Sequence, residues 1–443
     1  MHCGMTGAEL SQSLHRPDIG AGRDEHSTDF FTCALPGVRM RDHCGVCGSM
    51  DTRMRIVIPI HSFEPGGVER VALNLAQAWR DAGHEVVVVL GRIGGRGPAC
   101  VPDLDCWRIP TRLGTAHWET PWMIHSLHRY LVQNRADVVF YPGNTYAVVA
   151  ATIRLLMGAK TPPAVLKVSN ALARPDMPRW LRRPYALWLK LQGRVFDRLI
   201  GLSEPMSREI AALTGAAPDR VVTIANPVLT RQRLRDLATL PRSRGRDGAT
   251  RYVAAGRLVA QKNYPLMLRG FARCARPGDT LTIAGAGPDR DAILRVVSRL
   301  GLTGRVRLVG HLGSVDALLA QADAFVLSSD YEGLPGVVVE APAMVLPVLA
   351  TDCCASMACL VEAGVTGVLV PPGCEHAMAR GFVAVRRMIA EPHRARQLAA
   401  RYEVERSAER FLQAMAELCG RAHQQAGTVL AFPARLALAR GQN

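Results

Sequence analysis

Continuous apolar runs of strand length, each followed by a segment with helical periodicity, recur along this chain in two separate blocks. In the first block the runs are Arg55–Ile60, Glu85–Leu90, Asp137–Tyr141, Ala164–Val168, Arg198–Leu202 and Val221–Ala225. Helical patterns lie between them over 68–79, 147–158, 184–196 and 205–214. A run that is apolar throughout, rather than at every second residue, belongs to a strand buried on both faces; strands alternating with helices make parallel sheets covered by those helices. Residues 227–250 lose the rhythm and carry Arg, Ser, Gly and Asp, the composition of a linker. The alternation then restarts with Tyr252–Ala255, Thr280–Ala284, Val306–Val309, Ala324–Leu327, Pro347–Ala350 and Gly367–Val370. The expected fold class is therefore α/β, with two Rossmann-like doubly wound domains facing across a cleft. Ligands of such sheets bind at the carboxyl ends of the strands. The expected boundaries are an extension over 1–53, a first domain over 54–226, a linker over 227–250 and a second domain over 251–390. Helices over 391–425 and a tail over 426–443 complete the chain.

Bulk properties narrow the function. At 443 residues the chain is too long for one ordinary core. A formal charge of +16 favours anionic partners such as nucleotide phosphates, lipid headgroups or lipid-linked pyrophosphates. Nucleic acid is not expected, because no recognition helix, finger or stacked-aromatic motif accompanies the charge. Arg154 interrupts the most apolar stretch, Tyr146–Met157, well short of a bilayer span. No secretory pattern opens the sequence, so the expected location is cytoplasmic, at most peripheral on the inner face of the cell membrane. Cys44 and Cys47 form a lone C-x-x-C without the second pair that zinc requires.

Three strings carry chemistry. The first is Tyr331-Glu332-Gly333-Leu334-Pro335-Gly336-Val337-Val338-Val339-Glu340, where a strand passes through a Gly/Pro turn into a helix. The N–H groups of Gly336, Val337 and Val338 at the positive end of that helix suit a phosphate. Carboxylates beside a phosphate site need hydroxyls to hold, and sugars and ribose supply them, so Glu332 and Glu340 are expected to share one ligand. The second string, Gly256-Arg257-Leu258-Val259-Ala260-Gln261-Lys262-Asn263, leaves the first strand of the second domain. Arg257 and Lys262 at such a mouth can neutralise a departing diphosphate. Lysine occurs only at 160, 167, 190 and 262, so its use at this mouth points to a compact ammonium. The third string, Glu64-Pro65-Gly66-Gly67-Val68-Glu69-Arg70, follows the first strand, where Gly66 and Gly67 permit backbone to approach a phosphate.

Together these residues resemble the retaining GT-B glycosyltransferases, family 4 in particular, over about residues 55–420. The resemblance also rests on Gly285-Ala286-Gly287-Pro288, Gly310 and Ala350-Thr351-Asp352. It implies that Arg257 and Lys262 hold the donor diphosphate, Glu340 the ribose hydroxyls and Glu332 the transferred sugar. Backbone from Val309 through His311 to Leu312 would recognise the base, with Gly67 near the donor phosphates or the acceptor. Transfer would retain configuration and use no metal and no cofactor beyond the UDP- or GDP-linked donor. The acceptor would be a saccharide, free or polyprenyl-linked, in cell-surface polysaccharide or glycoconjugate biosynthesis. A same-fold phosphorylase or epimerase, or a non-catalytic nucleotide-sugar-binding partner of an active transferase, are the alternative readings.

Two departures stand out. Where many relatives carry a His after the fourth strand, this chain reads Tyr141-Pro142-Gly143-Asn144; Asn144 could meet the donor sugar, and His61 is the nearest substitute base. Val345 stands where the family has a glycine that ends the helix, and a β-branched residue resists positive φ. Finally, residues 174–198 interleave Arg and Lys with Trp and Tyr, a pattern suited to an anionic membrane surface and equally to a helix packed on the sheet.

Overall fold

The computed structural model describes residues 53–62, 67–91, 104–110, 118–173, 177–243 and 248–430, with side chains to residue 420. The extension over 1–52, Cys44 and Cys47, Gly66 and the last residues of the tail lie outside the described residues. The first sheet has seven parallel strands in the order β3-β2-β1-β4-β5-β6-β7. They are β1 (Arg55–Ile60), β2 (Glu85–Leu90), β3 (Asp105–Arg108), β4 (Val138–Tyr141), β5 (Ala164–Lys167), β6 (Arg198–Gly201) and β7 (Val221–Thr223). Their helices are α1 (Gly67–Asp81), α2 (Glu119–Gln133), α3 (Ala147–Met157), α4 (Arg179–Val195) and α5 (Glu204–Thr214), followed by α6 (Arg231–Thr239).

The second sheet has six parallel strands in the order β10-β9-β8-β11-β12-β13. These are β8 (Arg251–Ala255), β9 (Thr280–Ala284), β10 (Val306–Gly310), β11 (Ala324–Leu327), β12 (Val348–Thr351) and β13 (Gly367–Val370). Around it lie α7 (Tyr264–Cys274), α8 (Arg290–Arg299), α9 (Asp316–Ala320), α10 (Gly336–Ala343), α11 (Met357–Leu360) and α12 (Glu375–Arg386). α13 (Pro392–Ala400) and α14 (Val404–Leu430) close the described chain.

Three elements depart from the sequence expectation. β3 is a half-buried edge strand reading DCWR, too short and too polar to show as an apolar run. α2 buries Met123, Leu127, Tyr130 and Leu131, but two histidines among them blur its stripe. α6 falls inside the stretch read as linker: its sequence RQRLRDLAT buries only Leu237, so charge masks the period. The Thr230 hydroxyl accepts from the Arg233 N–H at 3.1 Å and starts that helix.

The C-terminal helix ties the halves together. The Val404 N–H donates to the Leu229 carbonyl at 2.9 Å, beside α6. From there α14 runs back over the first sheet, where Phe411 meets Phe140 and Trp79 edge to face. Trp79 is fully buried and its indole N–H donates to the Ala408 carbonyl at 3.1 Å.

At the carboxyl edges the two sheets touch. A Cβ on Gly333 would lie 2.2 Å from the Ser169 carbonyl oxygen, so only glycine lets the turn before α10 reach the loop after β5. Nearby, the Ser203 and Ser356 hydroxyls hydrogen-bond at 2.9 Å. At the far end of α10, Val345 adopts φ 57°, the left-handed conformation that a glycine would take there. The Leu346 N–H reaches back to the Ala341 carbonyl at 3.0 Å, and Arg242 donates to the carbonyls of Met344 and Val345 at 3.2 and 2.9 Å. The valine is thus held in a disfavoured geometry by its surroundings.

Two outcomes follow from these backbones. Val345→Gly should raise the melting temperature, with a gain of up to about 1 kcal/mol from relieved strain; an unchanged or lower value would mean that the valine's packing outweighs its φ. Gly333→Ala should cost about 1–3 kcal/mol, because backbone on both sides leaves no room for a methyl group; parent-like thermal stability would show that the contact is dispensable.

Candidate active site

The helix α10 begins with no side-chain cap, since Pro335 precedes it. Among the described residues the N–H groups of Gly336 and Val337 have no acceptor, whereas that of Val338 donates to the Pro335 carbonyl at 3.1 Å. The helix therefore offers two directed donors where three were expected, together with its positive end. Leu334 is buried beneath the turn.

Glu340, one turn further on, is 3 % exposed. Arg70 of α1 places Nη2 3.6 Å from Glu340 Oε1, and Arg233 of α6 approaches the same oxygen at 3.8 Å. Arg233 is itself held in a fork by Asp316 at 2.7 and 3.0 Å. Burial pushes the Glu340 carboxyl above the usual carboxylate range, while Arg70 and Arg233 pull the other way. The Arg70 guanidinium also lies over the start of α10, 3.7 Å from where a Gly336 Cβ would be. Arg70 and Arg233 are functional candidates that no sequence motif singled out, although Arg70 ends the Gly67-Val68-Glu69 string.

The loop after β8 is laced to the loop after β11. The Gln261 side chain donates to the Tyr331 carbonyl at 2.8 Å, and the Gln261 carbonyl accepts from the Asp330 N–H at 2.9 Å. The Ser328 hydroxyl donates to the Lys262 carbonyl at 2.8 Å, and Asn263 donates to Asp330 Oδ1 at 2.7 Å. Asn263 takes φ 41°, which an asparagine tolerates, and its side chain caps α7 through the Leu266 N–H at 3.2 Å. These bonds aim Lys262 at Glu332: ammonium and carboxylate form an ion pair, and the Ser329 hydroxyl donates to the same Oε1 at 2.8 Å. The residues assigned separately to phosphate and to sugar thus stand side by side.

Arg257 is exposed and has no ion-pair partner among the described residues. Its loop is fixed by the Gly256 N–H to the Ala284 carbonyl at 3.0 Å and the Leu258 N–H to the Ala286 carbonyl at 2.9 Å. At the next strand mouth the register of β10 slips between Leu308 and Gly310, leaving Val309 and Leu312 half-buried and His311 exposed.

The first-domain candidates lie at the carboxyl ends of β1 and β4 and at the start of α1. Both ends of the Asn144 amide serve the loop after β5: Oδ1 accepts from the Ser169 N–H at 2.8 Å and Nδ2 donates to the Asn170 carbonyl at 3.1 Å. Asn144 thus positions the loop that meets Gly333. The His61 ring stacks on Tyr146 at 4.7 Å, and the His61 backbone N–H donates to the Tyr146 hydroxyl at 3.0 Å. Gly67 opens α1 in open space. Lys167, at the carboxyl end of β5, is buried; burial lowers its pKa to about 8, against the pull of Glu69. Nothing in the sequence beyond the rarity of lysine marked it.

The arrangement combines a helix N-terminus, the cations Lys262, Arg70 and Arg233 and two carboxylates at the junction of two parallel sheets, which suits a phosphorylated and hydroxylated ligand. The family profile described as "Glycosyl transferases group 1" matches residues 249–387, and that described as "Glycosyltransferase Family 4" matches residues 65–232. The chain is 28 % identical over 396 residues to the glycogen synthase of Mycobacterium tuberculosis, spanning 78 % of this chain and 88 % of that one. Among solved structures, Anabaena Alr3699/HepE in complex with UDP and glucose superposes with a TM-score of 0.62 at 19 % identity, covering 82 % of this chain and all (100 %) of the other. WaaG, a glycosyltransferase involved in lipopolysaccharide biosynthesis, superposes at 0.64 with 17 % identity, over 81 % and 99 % of the two chains. These likenesses match the two-sheet architecture. Together the profiles and the fold establish that the chain belongs to glycosyltransferase family 4 and is a GT-B glycosyltransferase of the retaining class.

Proposed function

We propose that the chain transfers a sugar from a UDP- or GDP-linked donor to a saccharide acceptor, polyprenyl-linked in the fullest version of this reading, in cell-surface polysaccharide or glycoconjugate biosynthesis. The observation that carries it is that the α10 N-terminus, the Lys262–Glu332 pair and Glu340 all belong to the turn and helix that follow β11 and to the groups paired with them. The donor diphosphate would take the N–H groups of Gly336 and Val337, with Arg257 and Lys262 beside it. A phosphate drawing on Lys262 frees the Glu332 carboxylate to accept from sugar hydroxyls. Glu340, deeper in the helix, would accept from ribose hydroxyls.

In the transfer step the bond from the anomeric carbon to the diphosphate oxygen breaks, and the acceptor oxygen bonds that carbon on the same face. The acceptor's proton leaves with the phosphate or to solvent. The charge that develops on the diphosphate is met by fixed donors, the main electrostatic demand of such a reaction. The names of the relatives, a glycogen synthase and a glycosyltransferase involved in lipopolysaccharide biosynthesis, support a saccharide acceptor.

Two experiments test the reading. In a thermal-shift screen, a nucleotide sugar that binds the folded chain raises its melting temperature, and free nucleoside diphosphate should appear fastest when acceptor is present. Lys262→Ala and Glu340→Ala should each weaken the best donor about tenfold or more; parent-like responses from both variants would remove these residues from the site.

Glu340→Gln separates binding from folding. Because the folded-state pKa of Glu340 is raised, its stabilising contribution is present below the unfolded pKa and is lost as pH rises through the folded value. At neutral pH Glu340→Gln should therefore be at least as stable as the parent while binding donor more weakly. A variant that unfolds early at neutral pH, yet binds donor normally, would mean that Glu340 is structural.

A further inference from the structure

One surface remains unused by the cleft chemistry. On α4, Trp180, Leu187 and Leu191 fall on one strip by helical spacing, with the first two 75 % and 69 % exposed. The neighbouring strip carries Arg179, Arg183, Lys190 and Arg194, all exposed. Beside α4, α3 adds Leu155, 84 % exposed, and Leu156. Neither helix contains an acidic residue. The pair is held rigidly, for Arg154 donates to the Val195 carbonyl at 3.0 Å and to both Asp197 carboxylate oxygens at 3.1 Å.

We propose that the exposed faces of α3 and α4 form a docking surface for an anionic lipid bilayer. The apolar strip enters the headgroup boundary and the basic strip meets lipid phosphates, the division of labour of an interfacial helix. Charge selects this occupant over an apolar protein face, because four cations without one carboxylate need an anionic plane opposite them. Among the described residues no helix is long and apolar enough to cross a membrane, so contact at the surface is the mode open to this patch. The patch is wired to the cleft: the Tyr185 hydroxyl on α4 donates to the Leu172 carbonyl at 3.0 Å, in the same loop whose Ser169 and Asn170 meet Gly333. Docking there sets the cleft beside the bilayer, which deepens the proposed reaction by making the acceptor a lipid-borne saccharide; that consequence rests on the transferase reading above, whereas the docking does not.

The test is co-sedimentation of the full chain with phosphatidylcholine vesicles, with and without about 30 % phosphatidylglycerol. The parent should bind the anionic vesicles, release them as salt is raised, and largely ignore the neutral ones. Trp180→Ser with Leu187→Ser, and separately Arg183→Glu with Lys190→Glu, should each weaken vesicle binding about tenfold or more while keeping the parent's thermal response to nucleotide sugars. Parent-like vesicle binding by both variants, or equal binding to neutral vesicles, would overturn the proposal. So would a vesicle-free oligomer of the parent that both variants lose, since the patch would then bury itself against a second copy. Vesicle binding that follows the prediction in a chain that binds no nucleotide sugar would refute the transferase reading alone.

Discussion

A carboxylate as deeply buried as that of Glu340 cannot stand alone, and its two partners come from separate places in the chain. Arg70 belongs to the first helix of the first domain, Arg233 to the connecting helix α6, and Glu340 itself to α10, the helix of the proposed phosphate site. Bringing a carboxylate out of water is costly unless charge and hydrogen bonds compensate. Here the compensation depends on both domains and the segment between them being in place. Arg233 is anchored in turn by Asp316 of α9, so the carboxylate sits in a chain of alternating charge. Such an arrangement is a poor choice for stability, since an apolar core would serve better, and this is the reason to read it as a binding group.

The second ion pair follows the same logic at the other side of the turn. Lys262 and Glu332 are separated by seventy positions (|i−j|=70), and the hydrogen bonds of Gln261, Asn263, Ser328 and Asp330 hold their loops in register. The pair keeps both charges compensated, and under the proposed function a ligand that brings its own anion and hydroxyls exchanges with them. Gly333 lets the turn between the two carboxylates lie against the loop after β5, and Asn144 fixes that loop from below. The site is thereby assembled from backbone contacts that leave little freedom in where the charges point.

Much of this was legible in the sequence, and the exceptions have physical causes. Strands buried on both faces announce themselves as apolar runs, so β1, β2, β4 to β6, β11 and β12 stood out, and the alternation with helices marked β7 to β10 and β13 as well. The edge strand β3 and the charged helix α6 bury too little for periodicity to reveal them. The Gly/Pro turn with its flanking glutamates was visible because those residues sit at one turn, whereas Arg70 and Arg233 on helices look like ordinary solvated charges until tertiary structure brings them to Glu340. Asn144 was legible as a residue near the centre, but its role as a brace for the Ser169 loop depends on a contact that no local pattern encodes. Val345 shows the converse: the resemblance to the family marked a glycine position at a helix end, and the backbone does adopt positive φ there.

The central claim concerns where a diphosphate binds, and a crystal structure of the full chain with UDP or GDP tests it most directly. The account predicts phosphate oxygens within hydrogen-bond distance of the Gly336 and Val337 N–H groups, with Lys262 turned from Glu332 toward them. A nucleotide seated elsewhere, with the Lys262–Glu332 pair intact and the start of α10 untouched, would contradict it.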